Sequence, residues 1–247
     1  MSVLNIKDVT KVYEGKVTHR ALNQLSFEVE AGEFVAIMGP SGSGKTTLLN
    51  LISTIDQPTS GEIMINGLNP RSLSRNEHAY FRRRQLGFVF QDFNLLPMLT
   101  VEENIWAILE NRPELNKNQR KEKLESLLEE FSITRLAKQQ AYSLSGGERR
   151  RTEIARALAM EPKFLLLDEP FAGIDPIAVA DIKSMIKILS TRGIGVLITD
   201  HNVRDTLEIT SRAIIISNGQ ILAQGQKEDI LNSEEARKIY LGEEFKM

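Results

Sequence analysis

A glycine-rich segment ending in lysine and threonine carries the first recognisable chemistry of this chain. Residues 39–46 have the sequence Gly-Pro-Ser-Gly-Ser-Gly-Lys-Thr, which fits the pattern G-x-x-x-x-G-K-[ST]. Glycines let backbone N–H groups turn toward a phosphate, and the positive end of a following helix adds to the attraction. We expect catalytic Lys45 to reach the β- and γ-phosphates, and the Thr46 hydroxyl to ligate Mg²⁺. The residues predicted to contact nucleotide here are Gly39, Ser41, Gly42, Ser43, Gly44, Lys45, Thr46 and Thr47.

Two adjacent carboxylates, Asp168 and Glu169, follow the apolar run 164–167. A phosphate-binding loop needs an acidic residue at the end of a neighbouring strand, and Asp168 is predicted to hold Mg²⁺ directly or through water. Glu169 is predicted to act as the general base that polarises the attacking water, a role worth about 10²–10⁴ in rate. The alternatives are a chance lysine after a glycine-rich turn at residues 39–46, and a helix cap at Asp168.

The sequence also bears on the nucleotide base. The guanine-recognising pattern Asn-Lys-x-Asp is absent, because Asn116-Lys117 is followed by Asn118 and Gln119. Tyr13 precedes the glycine-rich segment, and it either stacks on adenine or is an ordinary aromatic residue of a strand.

Composition limits the broad class. The chain has 247 residues and a net charge of −2, with 26% charged and 41% hydrophobic residues. These values fit a folded α/β domain, or a core with a smaller insert, and argue against a general nucleic-acid binder. The sequence has no cysteine, which excludes disulfides and thiolate metal sites. No apolar run approaches the roughly 20 residues of a membrane helix.

Apolar patterns place the motifs on an α/β framework. Dense apolar runs at 34–38, 164–167 and 196–199 predict buried strands, with a helix over 177–189 between the last two. This alternation predicts a parallel sheet with crossover helices. Residues 213–223 predict a hairpin that turns at Asn218-Gly219.

The middle of the chain has a different pattern. Helical spacing runs from Thr100 to about Lys138 and begins with a capping box between Thr100 and Glu103. The polar stretch 110–118 predicts a linker between two helices. The α/β core is therefore interrupted near residues 92–144 by a helical insert.

A further motif, Leu144-Ser145-Gly146-Gly147-Glu148, lies shortly before the carboxylate pair. Together with the glycine-rich loop, Gln91, Asp168-Glu169 and His201, it resembles the nucleotide-binding subunit of an ABC transporter over essentially the whole chain. The resemblance implies an α/β P-loop NTPase of the ABC ATPase fold, with a RecA-like core, an N-terminal antiparallel β subdomain and an inserted α-helical subdomain. It assigns residues 1–247 to a single ABC ATPase domain. Within that domain, 1–91 and 145–225 form the core, 92–144 the helical subdomain and 226–247 a helical tail.

The resemblance also implies roles for residues outside the first loop. ATP would be sandwiched in a head-to-tail homodimer, between the P-loop of one chain and the signature residues of the other, namely Ser145, Gly146, Gly147 and Glu148. Gln91 would touch Mg²⁺ and the attacking water, His201 would hold the γ-phosphate, and Asp175 would lie at the dimer interface. Taken singly, the signature is also a helix-capping loop, Gln91 a turn residue and His201 a surface residue.

The same resemblance implies integral-membrane permease subunits as partners, at the cytoplasmic face of the inner membrane, and no nucleic acid. The basic runs 82–84 and 149–151 are accordingly interpreted as solvated faces, or as contacts near the nucleotide and the partner. A soluble, non-transport ABC protein of DNA repair or translation is the alternative from another class.

The two ends of the chain resemble different subfamilies. Residues 32–50, 52–61 and 86–97 resemble ATPases of bacitracin-type antimicrobial-peptide transporters and of macrolide and lipoprotein exporters. Residues 144–151, 168–176, 196–204 and 240–245 are similar to lipopolysaccharide-transport ATPases. This predicts a chimera joined near residues 104–114, with an engineered scaffold lacking a transport partner as the alternative function.

Overall fold

The computed structural model describes residues 2–242 and Phe245. Residues 243, 244, 246 and 247 of the predicted tail lie outside the described residues. The strands are β1 Ser2–Tyr13, β2 His19–Glu30, β3 Phe34–Met38, β4 Ser60–Ile65, β5 Leu86–Val89, β6 Phe164–Asp168, β7 Gly195–Thr199, β8 Arg212–Ser217 and β9 Gln220–Gly225. The helices are α1 Lys45–Ile52, α2 Arg75–Gln85, α3 Val101–Leu109, α4 Lys117–Glu130, α5 Gly146–Leu158, α6 Pro176–Thr191, α7 Val203–Ile209, α8 Lys227–Asn232 and α9 Glu234–Ala236.

The larger sheet has six strands in the order β5-β6-β7-β3-β8-β9. The first five are parallel, and β9 pairs with β8 in the antiparallel direction. Strands β3 and β7 are buried at every position, as expected where helices cover both faces of a sheet. The parallel arrangement brings the carboxyl ends of β5, β6, β7 and β3 to one edge, where α/β proteins bind ligands.

A second sheet, in the order β2-β1-β4, is antiparallel throughout. One face of β1 and β2 is buried through alternating residues such as Leu4, Ile6, Leu25 and Phe27, and it packs with α1 into one core. The predicted N-terminal antiparallel β subdomain is confirmed. The β8–β9 hairpin turns at Asn218 and Gly219, whose φ angles of 48° and 74° are typical of a tight hairpin turn.

The insert between β5 and α5 contains helices α3 and α4. Thr100 and Glu103 form the predicted capping box, in which the Glu103 N–H donates to Thr100 Oγ1 at 3.2 Å. Ile105, Leu109 and Phe131 bury the insert in the same core as one face of the larger sheet. The insert therefore packs against the core through an apolar interface.

The connection between α3 and α4 differs from a simple polar linker. Arg112 is 8% exposed, and it pairs with Glu114 and Glu161 at 2.9 and 3.0 Å. Arg84 of α2 donates to both carboxylate oxygens of Glu114, which holds the pKa of Glu114 well below its ordinary value. Ion pairs thus join this connection to α2 and to the turn after α5.

Helix boundaries differ modestly from those expected. Helix α6 extends the predicted 177–189 segment at both ends. Helix α2 has no counterpart in the sequence prediction because it is almost wholly polar, and it begins with a Ser74–Glu77 capping box. The tail forms α8, α9 and a π-helical turn over Arg237–Leu241. Among the described residues, no helix is long and apolar enough to cross a membrane.

We predict that Leu166→Ala lowers the free energy of unfolding by about 2–5 kcal/mol, since Leu166 is fully buried in β6 and its removal leaves a cavity. Urea denaturation measures this change. Leu68→Ala, at a residue that is 47% exposed, is the control and is expected to change stability by about 0.5 kcal/mol or less. Equal midpoint shifts for the two variants would contradict the assigned core.

Candidate nucleotide site

The glycine-rich loop connects the end of β3 to α1. Gly39 and Gly44 have φ angles of 149° and 109°, and a Cβ on Gly39 would collide with the Ile216 carbonyl oxygen. Because Gly44 is the N-cap of α1 and has no side chain, no side chain caps the first N–H groups of the helix. Such N–H groups bind anions, and the loop therefore has the form of a phosphate cradle.

Lys45 is the cation of this cradle. Its ammonium donates to the carbonyl oxygens of Gly39 and Pro40 at 2.8 and 3.1 Å, so it lies folded over its own loop. Burial lowers the pKa of Lys45, and the nearby charges of Glu169 and Asp168 act in the opposite direction. The predicted lysine and the predicted carboxylate pair therefore share one electrostatic environment.

Asp168 is the last residue of β6, and it pairs in register with Thr199 at the end of β7. The Thr199 hydroxyl donates to Asp168 Oδ1 at 2.5 Å. Burial raises the pKa of Asp168, while the hydrogen bond from Thr199 lowers it. Thr199 thus holds the carboxylate in one orientation and favours its charged form; the sequence prediction placed Thr199 in the strand without assigning it this contact.

Glu169 adopts a φ of 44°, a left-handed conformation uncommon outside glycine. Its N–H donates to the Thr199 carbonyl oxygen at 2.8 Å, which fixes the turn after β6 against β7. The Nδ1 atom of His201 lies 3.4 Å from Glu169 Oε2. The predicted base and the predicted γ-phosphate ligand are therefore neighbours. Strained backbone of this kind is often found at functional sites.

Asp200 lies between Thr199 and His201 and is 1% exposed. One of its oxygens accepts the Asn202 N–H at 2.7 Å, and the other is buried without a partner among the described residues. Burial raises the pKa of Asp200. This carboxyl group lies beside His201 and was not among the predicted site residues.

Gln91 follows β5 by two residues, and it lines a cleft with Asp168. The basic run 149–151 was interpreted as a solvated face or a nearby contact, and the structure shows that Arg150 is fully buried. Its guanidinium donates to the carbonyl oxygens of Phe90 and Gln91. The burial of Arg150 could not be predicted from the sequence, because a run of three arginines is typical of an exposed basic surface.

The signature motif begins α5. Ser145 is the N-cap, and it exchanges hydrogen bonds with Glu148 in a capping box. A Cβ on Gly146 would lie 2.9 Å from the Gly173 carbonyl oxygen, and one on Gly147 would lie 2.6 Å from the Ala178 side chain. The two glycines therefore let α5 pack closely against the segment that leads into α6.

Asp175 caps α6, where its side chain accepts the Ala178 N–H at 2.9 Å. Tyr13 ends β1 and is 41% exposed, and its hydroxyl donates to Asp56 at 3.0 Å. These contacts account for the local conformations of both residues, and their predicted interface and adenine contacts stay predictions.

The residues at this edge of the sheet have the chemistry needed to bind Mg²⁺ and a nucleoside triphosphate. The cradle offers backbone N–H groups and Lys45 to phosphate, and hydroxyl, amide and carboxylate oxygens are the hard ligands that Mg²⁺ takes. Thr46, Gln91 and Asp168 carry such oxygens. Ser43 Oγ is buried without a hydrogen-bond partner among the described residues, as expected of a group positioned for a ligand.

Comparison with known proteins extends these observations. The sequence profile of the ABC transporter family matches residues 22–172. The chain belongs to this family. It is an ATP-binding subunit of an ABC transporter and an ATPase.

Similar proteins cover the chain over its full length. It is 44% identical over 247 residues to the lipopolysaccharide export ATP-binding proteins LptB of Haemophilus influenzae and Escherichia coli K12, covering 100% of each chain. A dimeric post-hydrolysis structure of the ATP-binding cassette MJ0796, bound to ADP and Pi, superposes with a TM-score of 0.82 at 35% identity, covering 90% of this chain and 98% of that one. The predicted ABC ATPase fold is confirmed.

The comparisons do not support the expected chimera or the likeness to bacitracin-type and macrolide exporter ATPases, because the identity to the LptB proteins spans both ends of the chain. The residues behind that expectation lie largely in β3, the phosphate cradle, α1 and β5. Their types are restricted by phosphate binding and burial, so they distinguish subfamilies poorly. The alternative functions likewise receive no support.

We predict that Thr199→Val raises the Mg²⁺ concentration needed for half-maximal ATP hydrolysis by about 10–100-fold, because Asp168 loses its orienting hydrogen bond. That bond lowers the pKa of Asp168, so its loss raises this pKa, and activity is expected to fall at a higher pH on acidification. Magnesium titrations at several pH values measure both effects.

Thr191→Val is the control, since the Thr191 hydroxyl donates, among the described residues, only to the Ile188 carbonyl oxygen of its own helix. An unchanged magnesium requirement in Thr199→Val would contradict the role assigned to Thr199.

Proposed function

We propose that ATP is hydrolysed at the interface of two copies of this chain arranged head to tail. Ser145 is exposed, and its described hydrogen bonds run to Glu148 and not to residues 39–46. The signature lies against the start of α6 and the segment before it, where Asp175, the N-cap, is exposed and the apolar Ile177 of the first turn is 81% exposed. An exposed signature beside an exposed apolar residue is the observation that supports a second copy completing the site.

In this proposal, each phosphate cradle takes its second wall from the partner copy. The exposed N-cap of α5, with its glycines, presents N–H groups and the Ser145 hydroxyl to the γ-phosphate of the facing site. The dimeric arrangement named for the structure of MJ0796 supports this assignment.

The chemistry follows from the residues gathered at the sheet edge. Glu169 accepts a proton from the attacking water, and His201, 3.4 Å from Glu169, contacts the γ-phosphate. Lys45 neutralises the phosphates, while Asp168, Thr46 and Gln91 hold Mg²⁺. Held by these residues, Mg²⁺ would supply positive charge to offset the charge that develops during phosphoryl transfer.

We infer that the membrane partner binds a groove formed by β5, the segment after Gln91, α3 and α5. Phe88, Leu96, Ile108 and Met160 give it an apolar lining, and Arg83 and Arg156 add positive charge. Leu96 and the nearby Met98 are 54% and 71% exposed. The groove thus suits a helix that is apolar on one side and acidic on another.

The LptB relatives are named for lipopolysaccharide export, and their full-length similarity supports the same class of transport here. The chain would then act on the cytoplasmic face of the inner membrane, held there by integral-membrane subunits. Hydrolysis would be coupled to the partner through the segment after Gln91, which borders both the groove and the nucleotide site.

We predict that Glu169→Gln retains ATP binding, lowers kcat by about 10²–10⁴-fold, and accumulates as an ATP-bound dimer, because the amide cannot accept the proton. Phosphate release, nucleotide binding and gel filtration with Mg-ATP test the three parts. Wild-type turnover in this variant would exclude Glu169 as the base.

We predict that Leu96→Glu leaves the ATPase activity of the isolated chain within about twofold of wild type and abolishes co-purification with its membrane subunits. The carboxylate would have to be buried against the partner's apolar face, which costs several kcal/mol. Leu68→Glu is the control at a similarly exposed leucine. If both variants co-purify equally well, the partner binds elsewhere.

A further inference from the structure

Arg150 is a charged side chain with no exposure to solvent. Removing a guanidinium from water costs several kcal/mol unless its N–H groups find acceptors. Burial lowers the pKa of Arg150, which reflects this cost. The contacts that offset it therefore indicate what the residue does.

Three of these contacts are hydrogen bonds from the two terminal nitrogens. Nη1 donates to the Phe90 carbonyl oxygen at 2.6 Å and to Glu153 Oε2 at 2.9 Å. Nη2 donates to the Gln91 carbonyl oxygen at 3.0 Å. Arg150 thus binds two consecutive carbonyl groups, and the second belongs to the residue proposed to touch Mg²⁺ and water.

The same face of α5 holds the rest of this segment. Glu153 accepts the Asn94 N–H at 2.5 Å, and Arg156 donates to the Asn94 carbonyl oxygen at 2.7 Å. The Phe93 ring lies 4.9 Å from the Arg150 guanidinium carbon. Residues 150, 153 and 156 are spaced to share one helix face. Through them, α5 holds the segment 90–94 by hydrogen bonds at its start, to residues 90 and 91, and at its end, to residue 94.

The geometry favours arginine over other residue types. A planar guanidinium can reach two neighbouring carbonyl groups and one carboxylate at once, whereas a lysine ammonium is a single point charge on a flexible stem. An apolar side chain of similar length would leave both carbonyl groups and the Glu153 carboxylate without these donors.

We propose that Arg150 is a positioning residue for Gln91, and that it acts on hydrolysis by fixing the backbone of Phe90 and Gln91. In this proposal it acts through the backbone of the Gln91 segment and not by a contact of its own with the nucleotide. Gln91 lines a cleft with Asp168, so a shift of the Gln91 backbone would move its amide relative to that carboxylate. The inference rests on the proposed role of Gln91 in the reaction.

A double-mutant cycle with Arg150→Met and Gln91→Ala in the full chain tests this proposal. We expect each single variant to lower kcat and raise the half-saturating Mg²⁺ concentration by about 10–100-fold. Both changes remove the same contribution, that of a correctly placed Gln91 amide. We therefore expect the kcat and the half-saturating Mg²⁺ concentration of the double variant to stay within about twofold of those of Gln91→Ala. Multiplied effects of the two changes would overturn the proposal.

Two further variants separate positioning from folding. Arg150→Lys keeps the charge and part of the donor set, and we expect it to fold and to have a kcat between those of wild type and Arg150→Met. Ile154→Val removes one buried methyl group from the same helix and keeps the side chains that hydrogen-bond residues 90–94, so it should lower the melting temperature while leaving the magnesium requirement unchanged. If Ile154→Val reproduces the magnesium shift, Arg150 acts only by stabilising α5.

The activity of Gln91→Ala alone separates the proposed role of Gln91 from the proposed role of Arg150. Wild-type activity in that variant would reject the role of Gln91 and with it the proposal for Arg150. Reduced activity in Gln91→Ala, combined with an independent effect of Arg150→Met, would reject only the positioning role.

Discussion

The nucleotide site depends on keeping carboxylates charged at the end of an apolar sheet. Asp168 is partly buried, Asp200 almost fully so, and burial raises the pKa of both. Burying a carboxylate costs several kcal/mol, and a hydrogen bond to a charged group contributes about 1.5–3 kcal/mol in return. Thr199 and the Asn202 N–H supply one such bond each. The remaining charge favours cations, and Lys45 is one of them, so the edge is electrostatically prepared for a metal ion and a phosphate.

The parallel sheet brings the functional groups of the nucleotide site together at one of its edges. Four adjacent parallel strands end at the same edge, so residues distant in sequence meet there without long loops. Helix α5 begins at the signature and then holds residues 90–94 through Arg150, Glu153 and Arg156. Helix α5 therefore links the surface that we propose faces a second copy with the Gln91 segment, which lines both the site and the groove.

Sequence patterns predicted the parts of the molecule where burial or phosphate binding restricts residue type. The apolar runs of β3, β6 and β7, the glycine-rich loop and the Thr100 capping box are of this kind, because each depends on neighbours in sequence. Helix α2 escaped prediction since it lacks an apolar stripe. Two features were not predicted: the burial of Arg150 and the contact of Thr199 with Asp168. Each depends on contacts between segments 31 to 60 residues apart in the sequence. The expected chimera is not supported, because the similarity to the LptB proteins extends over the full chain.

In the proposed mechanism, two copies of the chain build each catalytic site. Phosphate release by the purified chain with Mg-ATP, measured over a wide range of protein concentration, tests it most directly. We expect activity per chain to rise with concentration and to reach a plateau once the dimer is complete. Activity per chain that is the same at every concentration, in a protein that stays monomeric with ATP bound, would contradict it.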